Sequence, residues 1–342
     1  MAGLHAVQTA LDQSVLNPIE PSSTRWLSME ASVRRLKDTF VSVLISLERE
    51  GEERGDAKAI GLFHLMSTYR FISTMLLLCD LLPHVSNLSK ALQASDFEHS
   101  LVKPLVSSTV STLRQLKTVD GENLRSLPDL LDTLEKSDVT VKQRADDHDF
   151  FTEHVKGKYI DRLMSNIEQR FPSEDVGLLS HFAIFDPHRM QVNQTADYGQ
   201  EEVKSLSEHF LQKPDQPNVT ADAVNEWTNF RNFAKDSVLK QPDLKAQSII
   251  DLLCTKSVAQ HAFPHLSKLA KIYRVLPCHT ADAERTFSQL KIIKTVPRNR
   301  LNQASLDGLI RIAVDGPPVH EFDYQSTVQR WAQKKNRRLC RK

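Results

Sequence analysis

The chain has 342 residues, of which only 10 are Gly and 15 are Pro. Turn-dense β-sandwiches and Gly-rich phosphate-binding folds need many residues with positive φ, so a Gly share of about 3% favours helices. The 44 Lys and Arg residues against 43 Asp and Glu leave a net charge of +1, which gives no support for the strong overall field of a nucleic-acid coat protein. The predicted fold class is mainly α.

The N-terminal part predicts long helices. Residues 29–47 place apolar side chains at three- and four-residue steps, which predicts one amphipathic helix that the charged tract 48–56 ends. Residues 57–82 predict a second, strongly apolar helix that Pro83 stops. This second helix is low in polarity on all sides, so we expect it at the centre of a helical bundle.

The rest of the chain continues the helical pattern without a fixed-period repeat. The least regular stretch is 186–217, which contains four Pro and Gly residues and is the best candidate for a boundary. Further helices are predicted over 100–117, 127–134, 146–171, 203–211, 222–239, 244–253 and 263–275.

The most informative block runs from Phe263 to Pro317. Thr280 is a predicted N-cap, and a helix is expected from Ala281 to about Lys294, before Pro297. The apolar stripe of this helix includes Phe287 and Leu290, and at 100° per residue Glu284 lies at the rim of that stripe. A carboxylate in this position can reach a cleft.

The block resembles the C-terminal dimerisation region of the hAT transposase superfamily. Three features carry the resemblance: a Pro-x-Leu start, an Ala-Glu-Arg-x-Phe-Ser core, and an Arg-x-Arg-Leu before a Leu-rich helix. They are formed by Pro264 and Leu266; by Ala283, Glu284, Arg285, Phe287 and Ser288; and by Arg298, Arg300 and Leu301. The tail and a Thr-Arg-Trp at 24–26 resemble domesticated hAT relatives, in which such a motif stands at the entry to a large helical insertion.

The resemblance implies an RNase H-like domain in which three carboxylates hold two divalent metals for phosphodiester cleavage. Glu284 matches the third acidic residue of the family. Only 23 residues precede Thr24, which is too few for the strands that carry the first two aspartates, and no BED zinc finger is found. We therefore expect an incomplete triad with a vestigial Glu284, no catalytic activity, no metal site and no cofactor.

Three other groups of residues suggest alternative hypotheses. The run 75–80 could be a buried strand that ends in a catalytic Asp80, although its length favours a continued helix with Asp80 facing solvent. The pair Cys278 and His279 could form a thiolate with its base, but adjacent side chains diverge, which favours a plain loop. The acidic run 146–149 could bind a cation or be a solvated helix start.

The C-terminal tail is basic. Seven Lys and Arg residues within 330–342 could contact phosphates or an import receptor, or form a solvated terminus that Trp331 anchors. The candidate nucleic-acid-binding residues are Arg298, Arg300, Lys334, Lys335, Arg337 and Arg338.

The predicted function is self-association, as a homodimer or with a related hAT-type chain, with DNA binding or residual metal-dependent nuclease activity as alternatives. More apolar residues occur in the C-terminal block than isolated short helices can bury among themselves. The candidate packing and dimerisation residues are Phe263, Leu266, Leu269, Ile272, Phe287, Leu290, Leu306, Leu309 and Ile310.

The predicted organisation has four parts: an N-terminal remnant (1–23), an insertion-like helical region (24–240), the dimerisation region (244–316) and a basic tail (317–342). The four Cys are far apart, which fits a reducing compartment, and we expect a nuclear or, alternatively, cytoplasmic protein. No segment has the roughly 18 consecutive apolar residues that span a membrane, so no membrane association is expected. No small-molecule substrate is evident from the sequence.

Overall fold

The computed structural model describes residues 2–21, 26–94, 97–193, 195–237, 239, 244–276 and 281–334. Over these residues the chain forms helices and no β-strand, with isolated bridges between Thr68 and Lys142 and between Lys213 and Gln216. The prediction of a mainly α fold is confirmed.

The chain divides into two compact units, Met1–Cys278 and His279–Lys342. This division falls inside the predicted dimerisation region 244–316. The four-part organisation itself stays a prediction, because a division by compactness assigns no role to a segment.

The first unit contains seventeen α-helices among the described residues. They are α1 (Ala2–Ala10), α2 (Trp26–Asp38), α3 (Phe40–Arg54), α4 (Ala57–Met66), α5 (Tyr69–Leu92), α6 (Val102–Thr118), α7 (Glu122–Arg125), α8 (Leu127–Lys136), α9 (Asp147–Phe150), α10 (Gly157–Arg170), α11 (Ser173–Ser180), α12 (Pro187–Val192), α13 (Gln200–Phe210), α14 (Val219–Ser237), α15 (Ala246–Thr255), α16 (Ser257–Ala262) and α17 (Pro264–Val275). A π-helical turn, Phe151–Lys156, joins α9 to α10, and 3₁₀ turns cover His99–Leu101 and His181–Phe185.

The second unit contains three described α-helices, α18 (Ala281–Ile293), α19 (Gln303–Asp315) and α20 (Tyr324–Gln333). Two 3₁₀ turns, Val296–Arg298 and Val319–Glu321, lie between them. The predicted helix 281–294 is confirmed. Its predicted N-cap, Thr280, lies outside the described residues.

The first predicted helix, 29–47, is wrong as a single element. Thr39 leaves the helical region with ψ 11°, and its hydroxyl donates to the Arg35 carbonyl at 2.8 Å, so α2 ends and α3 begins there. The helix α3 then runs through the charged tract to Arg54. It stops at Gly55, whose φ of +66° is the left-handed conformation that Gly tolerates best.

The second predicted helix, 57–82, is also wrong in its bounds. The helix α4 ends at Met66, and Thr68 starts α5 by accepting a hydrogen bond from the Phe71 N–H. Pro83 lies inside α5 and does not stop it. A Pro removes one helical hydrogen bond, but the buried side chains of Leu81, Leu82 and Val85 hold both sides of this position in the core.

Two clusters of buried apolar side chains form the core of the first unit. The first cluster spans α3 to α11, and its most buried members include Phe40, Leu44, Ile72, Leu76, Leu81, Leu113, Leu134 and Ile160. The second spans residues 182–273 and includes Phe182, Phe185, Trp227, Phe230, Leu266 and Leu269. Leu179 on α11 packs against both clusters.

The helix α5 is the central helix of the first cluster. By length and composition alone it could cross a membrane, since its most apolar 18-residue window has a mean hydropathy of 1.4. Within the protein 56% of that window is buried, which is the pattern of a core helix.

Candidate interaction region

The helix α17 and its N-cap residue, Phe263, contain the first four candidate packing residues. Phe263, Leu266 and Leu269 are buried in the second core cluster, and Ile272 is half-buried against it. These side chains are therefore occupied inside the first unit.

A carboxylate from α14 fixes the start of α17. The Oε2 atom of Glu226 accepts hydrogen bonds from the backbone N–H groups of His265 at 2.8 Å and Leu266 at 3.1 Å. Its Oε1 atom lies 2.6 Å from Nδ1 of His265. Because the first N–H groups of a helix have no partner within it, Glu226 supplies the cap that α17 lacks locally.

An arginine on α14 holds the loop that precedes α13. The Arg231 guanidinium, which is buried, donates to the carbonyls of Asn193 at 3.1 Å, Thr195 at 2.9 Å and Ala196 at 3.2 Å. It also lies 5.2 Å from the centre of the Tyr198 ring, and Trp227 Nε1 donates to the Tyr198 carbonyl at 2.7 Å. These hydrogen bonds connect α14, on which α17 packs, to the loop before α13. Sequence reasoning identified neither Glu226 nor Arg231.

A histidine from the first half of the chain meets the C-terminal end of α17. The ring of His99 lies 4.4 Å from the Tyr273 ring, and its Nε2 atom is 2.9 Å from the Leu276 carbonyl oxygen. A carbonyl only accepts, so Nε2 carries the proton and Nδ1, which is buried without a hydrogen-bond partner, carries a lone pair. Burial lowers the pKa of His99 below its ordinary 6.5, and the Leu276 hydrogen bond opposes that change.

The helices α18 and α19 pack against each other, and four of the remaining candidates are shielded from solvent. Leu306 is buried, and Leu290, Leu309 and Ile310 are half-buried. The Asn302 side chain starts α19 by accepting a hydrogen bond from the Ser305 N–H at 2.8 Å.

Large apolar side chains of this helix pair also point to solvent. Phe287 is 62% exposed, Ile292 is 65% exposed and Ile312 is 66% exposed. Phe287 is the one member of the predicted set that the described structure leaves mostly accessible.

Glu284 belongs to α18, and its side chain lies outside the described residues. Among the described residues, no group of three His, Cys, Asp or Glu side chains could hold a metal ion.

The role of Asp80 differs from both roles that were predicted for it from the sequence. It lies inside α5, so the strand interpretation is wrong. The expectation that it faces solvent is wrong as well, because it accepts hydrogen bonds from the Asn123 N–H at 3.0 Å and the Leu124 N–H at 2.9 Å, with a third from the Asn123 side chain. Asp80 caps the start of α7, in a contact 43 residues away in sequence.

The acidic run 146–149 forms ion pairs and hydrogen bonds. Asp147 accepts from the Arg144 N–H at 2.7 Å and from Arg70 Nε at 2.5 Å, and these two interactions lower its pKa from the ordinary 3.8. Asp146 lies 3.7 Å from the same guanidinium, and His148 meets the Tyr69 hydroxyl at 3.1 Å. The run therefore stabilises the junction of α5 and α9.

The structure describes three of the six candidate nucleic-acid-binding residues. Arg298, Arg300 and Lys334 are exposed. Lys335, Arg337 and Arg338 lie outside the described residues, as do Cys278 and His279.

Comparison with protein families identifies a known region in this part of the chain. Residues 231–312 match the model of the hAT family C-terminal dimerisation region. The match begins at Arg231, includes α15 to α17, of which α15 and α17 contribute to the second core cluster, and ends at Ile312 of α19.

Proposed function

We propose that this hAT transposase-derived protein acts by self-association, or by pairing with a related hAT-type chain, and that it catalyses no reaction of its own. The matched dimerisation region supports an interaction role. The proposal also includes a partner, which is a second copy or a related hAT-type chain, the absence of catalysis and a nuclear location.

The observation that carries the proposal is the exposure of apolar side chains in α18 and α19. Burying one Phe or Ile side chain contributes about 1.5–3 kcal/mol, so leaving Phe287 and Ile292 in water forgoes a large stabilisation. Phe263, Leu266 and Leu269 are already buried in the first unit. Within the candidate set, Phe287 is therefore the side chain most available to a partner.

Light scattering on the full chain tests self-association. At micromolar concentration we expect about twice the chain mass of 38.9 kDa. Phe287→Glu places a charge in the proposed contact and is expected to give the monomer mass. Gln303→Glu adds the same charge at an exposed position of α19 and is the matched control. A monomer at all concentrations, alone and with related hAT-type chains, contradicts the proposal.

The absence of catalysis rests on the incomplete set of acids. Two-metal phosphodiester cleavage needs several carboxylates around the ions, and Glu284 matches only one of the three in the family. We expect no cleavage of plasmid DNA with Mg²⁺ or Mn²⁺. Cleavage by the purified wild-type chain would overturn this part of the proposal, and its loss in Glu284→Gln would assign the cleavage to Glu284.

The exposed cations Arg298, Arg300 and Lys334 favour DNA binding as a second candidate. Binding through phosphate contacts weakens steeply with salt. Fluorescence anisotropy with duplex DNA tests this candidate, and removal of residues 330–342 is expected to abolish binding. An equal affinity with and without the tail counts against it.

We propose a nuclear location because the basic residues of the C-terminal tail could bind an import receptor. The test is the distribution of a fluorescent fusion of the full chain, compared with a fusion in which Lys334, Lys335, Arg337 and Arg338 are replaced by Ala. Accumulation of both fusions in the cytoplasm contradicts the proposed location.

A further inference from the structure

The helix α20 is amphipathic and lies beyond the matched residues 231–312. Tyr324, Val328 and Trp331 recur at i, i+4 and i+7, so they lie on one face. Their exposed fractions are 54%, 59% and 46%. Arg330 and Lys334 follow one flank of this stripe, whereas Gln329 and Gln333 occupy the polar side. Three apolar anchors in such a row are typical of a helix that docks in a groove on a protein.

The helix α19 offers a surface of matching chemistry. Gly308 and Ile312 share its outer face, opposite the buried Leu306, and a Cβ placed on Gly308 would meet no atom within 4 Å. An interior Gly costs a helix about 1 kcal/mol relative to Ala, and here it leaves the surface beside the exposed Ile312 without a side chain. Asp315 ends the same helix.

The charges of the two surfaces are complementary. The C-terminal end of a helix carries a partial negative charge, and at α19 the carboxylate of Asp315 adds to it. Arg330 and Lys334 are in the last turn of α20 and at its end. A parallel arrangement of the two helices sets Val328 against Gly308 and Ile312, and sets the two cations near Asp315.

The segment between the helices contacts the first residue of α20. The backbone is extended at Gly316 and at Pro318. The Tyr324 hydroxyl donates to the Val319 carbonyl at 3.0 Å, and the rings of Phe322 and Tyr324 meet edge to face at 5.0 Å. With these contacts in place, the stripe on α20 and Ile312 on α19 both remain exposed in one chain.

We propose that α20 of one copy docks on the Gly308–Ile312 face of α19 in a second copy. The proposal rests on the proposed self-association and names the contact that α20 adds to it. In a symmetric pair the contact occurs twice, since each copy gives one α20 and receives one. Both exposed apolar faces are then covered without breaking the contacts of residues 316–324.

The first test compares dimer dissociation constants of full-length chains by sedimentation equilibrium. Val328→Asp is expected to raise the constant about tenfold or more, because a charge replaces a central anchor at both copies of the contact. Gln329→Asp adds the same charge on the polar side and is the control, with an expected change below about twofold. If Val328→Asp behaves like Gln329→Asp while the wild type is a dimer, the docking is overturned and the self-association stands.

The second test locates the contact. A ¹⁵N-labelled Val328→Cys chain is mixed with an unlabelled Ile312→Cys chain under mild oxidation, and linked peptides are identified by mass spectrometry. We expect disulfides between positions 328 and 312 that join labelled to unlabelled peptides. A chain that carries both substitutions and forms this disulfide only within itself, in an equal mixture of labelled and unlabelled protein, would show docking in the same copy and refute the proposal.

Discussion

The imidazole of His99 donates a hydrogen bond to the carbonyl of Leu276, across 177 residues of sequence. This bond joins a 3₁₀ turn beside the first core cluster to the last described residue of the first unit. The neutral ring is held among Phe97, Phe182 and Tyr273. Protonation at Nδ1 would place a charge and an unpaired N–H in this apolar site.

The buried His99 is expected to make the fold sensitive to acid. Its pKa is lowered in the folded state, so between the ordinary 6.5 and the lower folded value the unfolded chain binds a proton that the folded chain does not. This contribution to stability is full above pH 6.5 and falls as the pH drops below it. Urea unfolding at pH 7.5 and pH 5.5 measures the change.

His99→Gln serves as the comparison, because an amide N–H can replace the Nε2 donor and does not titrate. We expect the variant to lose less stability than the wild type between the two pH values. An equal loss in both proteins would assign the acid sensitivity to other groups.

Glu226 is expected to contribute strongly to stability as the cap of α17. Glu226→Ala leaves two backbone N–H groups of a part-buried helix start without their acceptor, which costs about 1–3 kcal/mol. Urea denaturation monitored by circular dichroism gives the free energy of unfolding. Glu201→Ala, at an exposed carboxylate in the first turn of α13, is the control, with an expected loss below about 1 kcal/mol.

Replacement by Ala is expected to change the stability of the protein in opposite directions at two glycines. A Cβ at Gly121 would lie 2.3 Å from Asp80 Cγ, and the displaced carboxylate would lose its hydrogen bonds to α7. A Cβ at Gly61, inside α4, meets no atom within 4 Å. Gly121→Ala should therefore destabilise the protein by about 1–3 kcal/mol, whereas Gly61→Ala should stabilise it by up to about 1 kcal/mol.

Thermal and urea unfolding of the two single variants test this pair. The same sign of change in both would contradict the described surroundings of these glycines.

Cys79 is expected to react slowly with alkylating reagents in the folded protein. Burial raises the pKa of its thiol to about 11, so about a thousandth of it is thiolate at pH 8. Iodoacetamide labelling at pH 8, followed by peptide mass spectrometry, should show Cys79 modified much faster in urea than in buffer. Equal rates in both solutions would contradict the burial of this thiol.

Helix content could be predicted from the sequence because local spacing determines it. The stripes over 100–117 and 263–275 and the helix expected over 281–294 match α6, α17 and α18 within about two residues. The breaks at Thr39 and Thr68 were missed because each depends on one side chain that bonds the nearby backbone. The continuation through Pro83 was missed because packing against the core outweighs local preference.

The hydrogen bonds that build the candidate region were beyond sequence reasoning. Glu226 meets its partners 39 and 40 residues away, and Arg231 bonds carbonyls 35 to 38 residues away. Periodicity marks an apolar face but does not identify what covers it. For this reason Leu266 and Phe287 belonged to one predicted set, although one is in the core and the other is exposed.

Leu179, which packs against both core clusters, has a consequence for how the first unit melts. A side chain shared by two clusters couples their unfolding, so we expect the two halves of this unit to unfold together. A protein truncated near residue 180 would expose apolar surface from both clusters at once and would be prone to aggregate. Soluble fragments of this chain are therefore expected to contain the whole first unit.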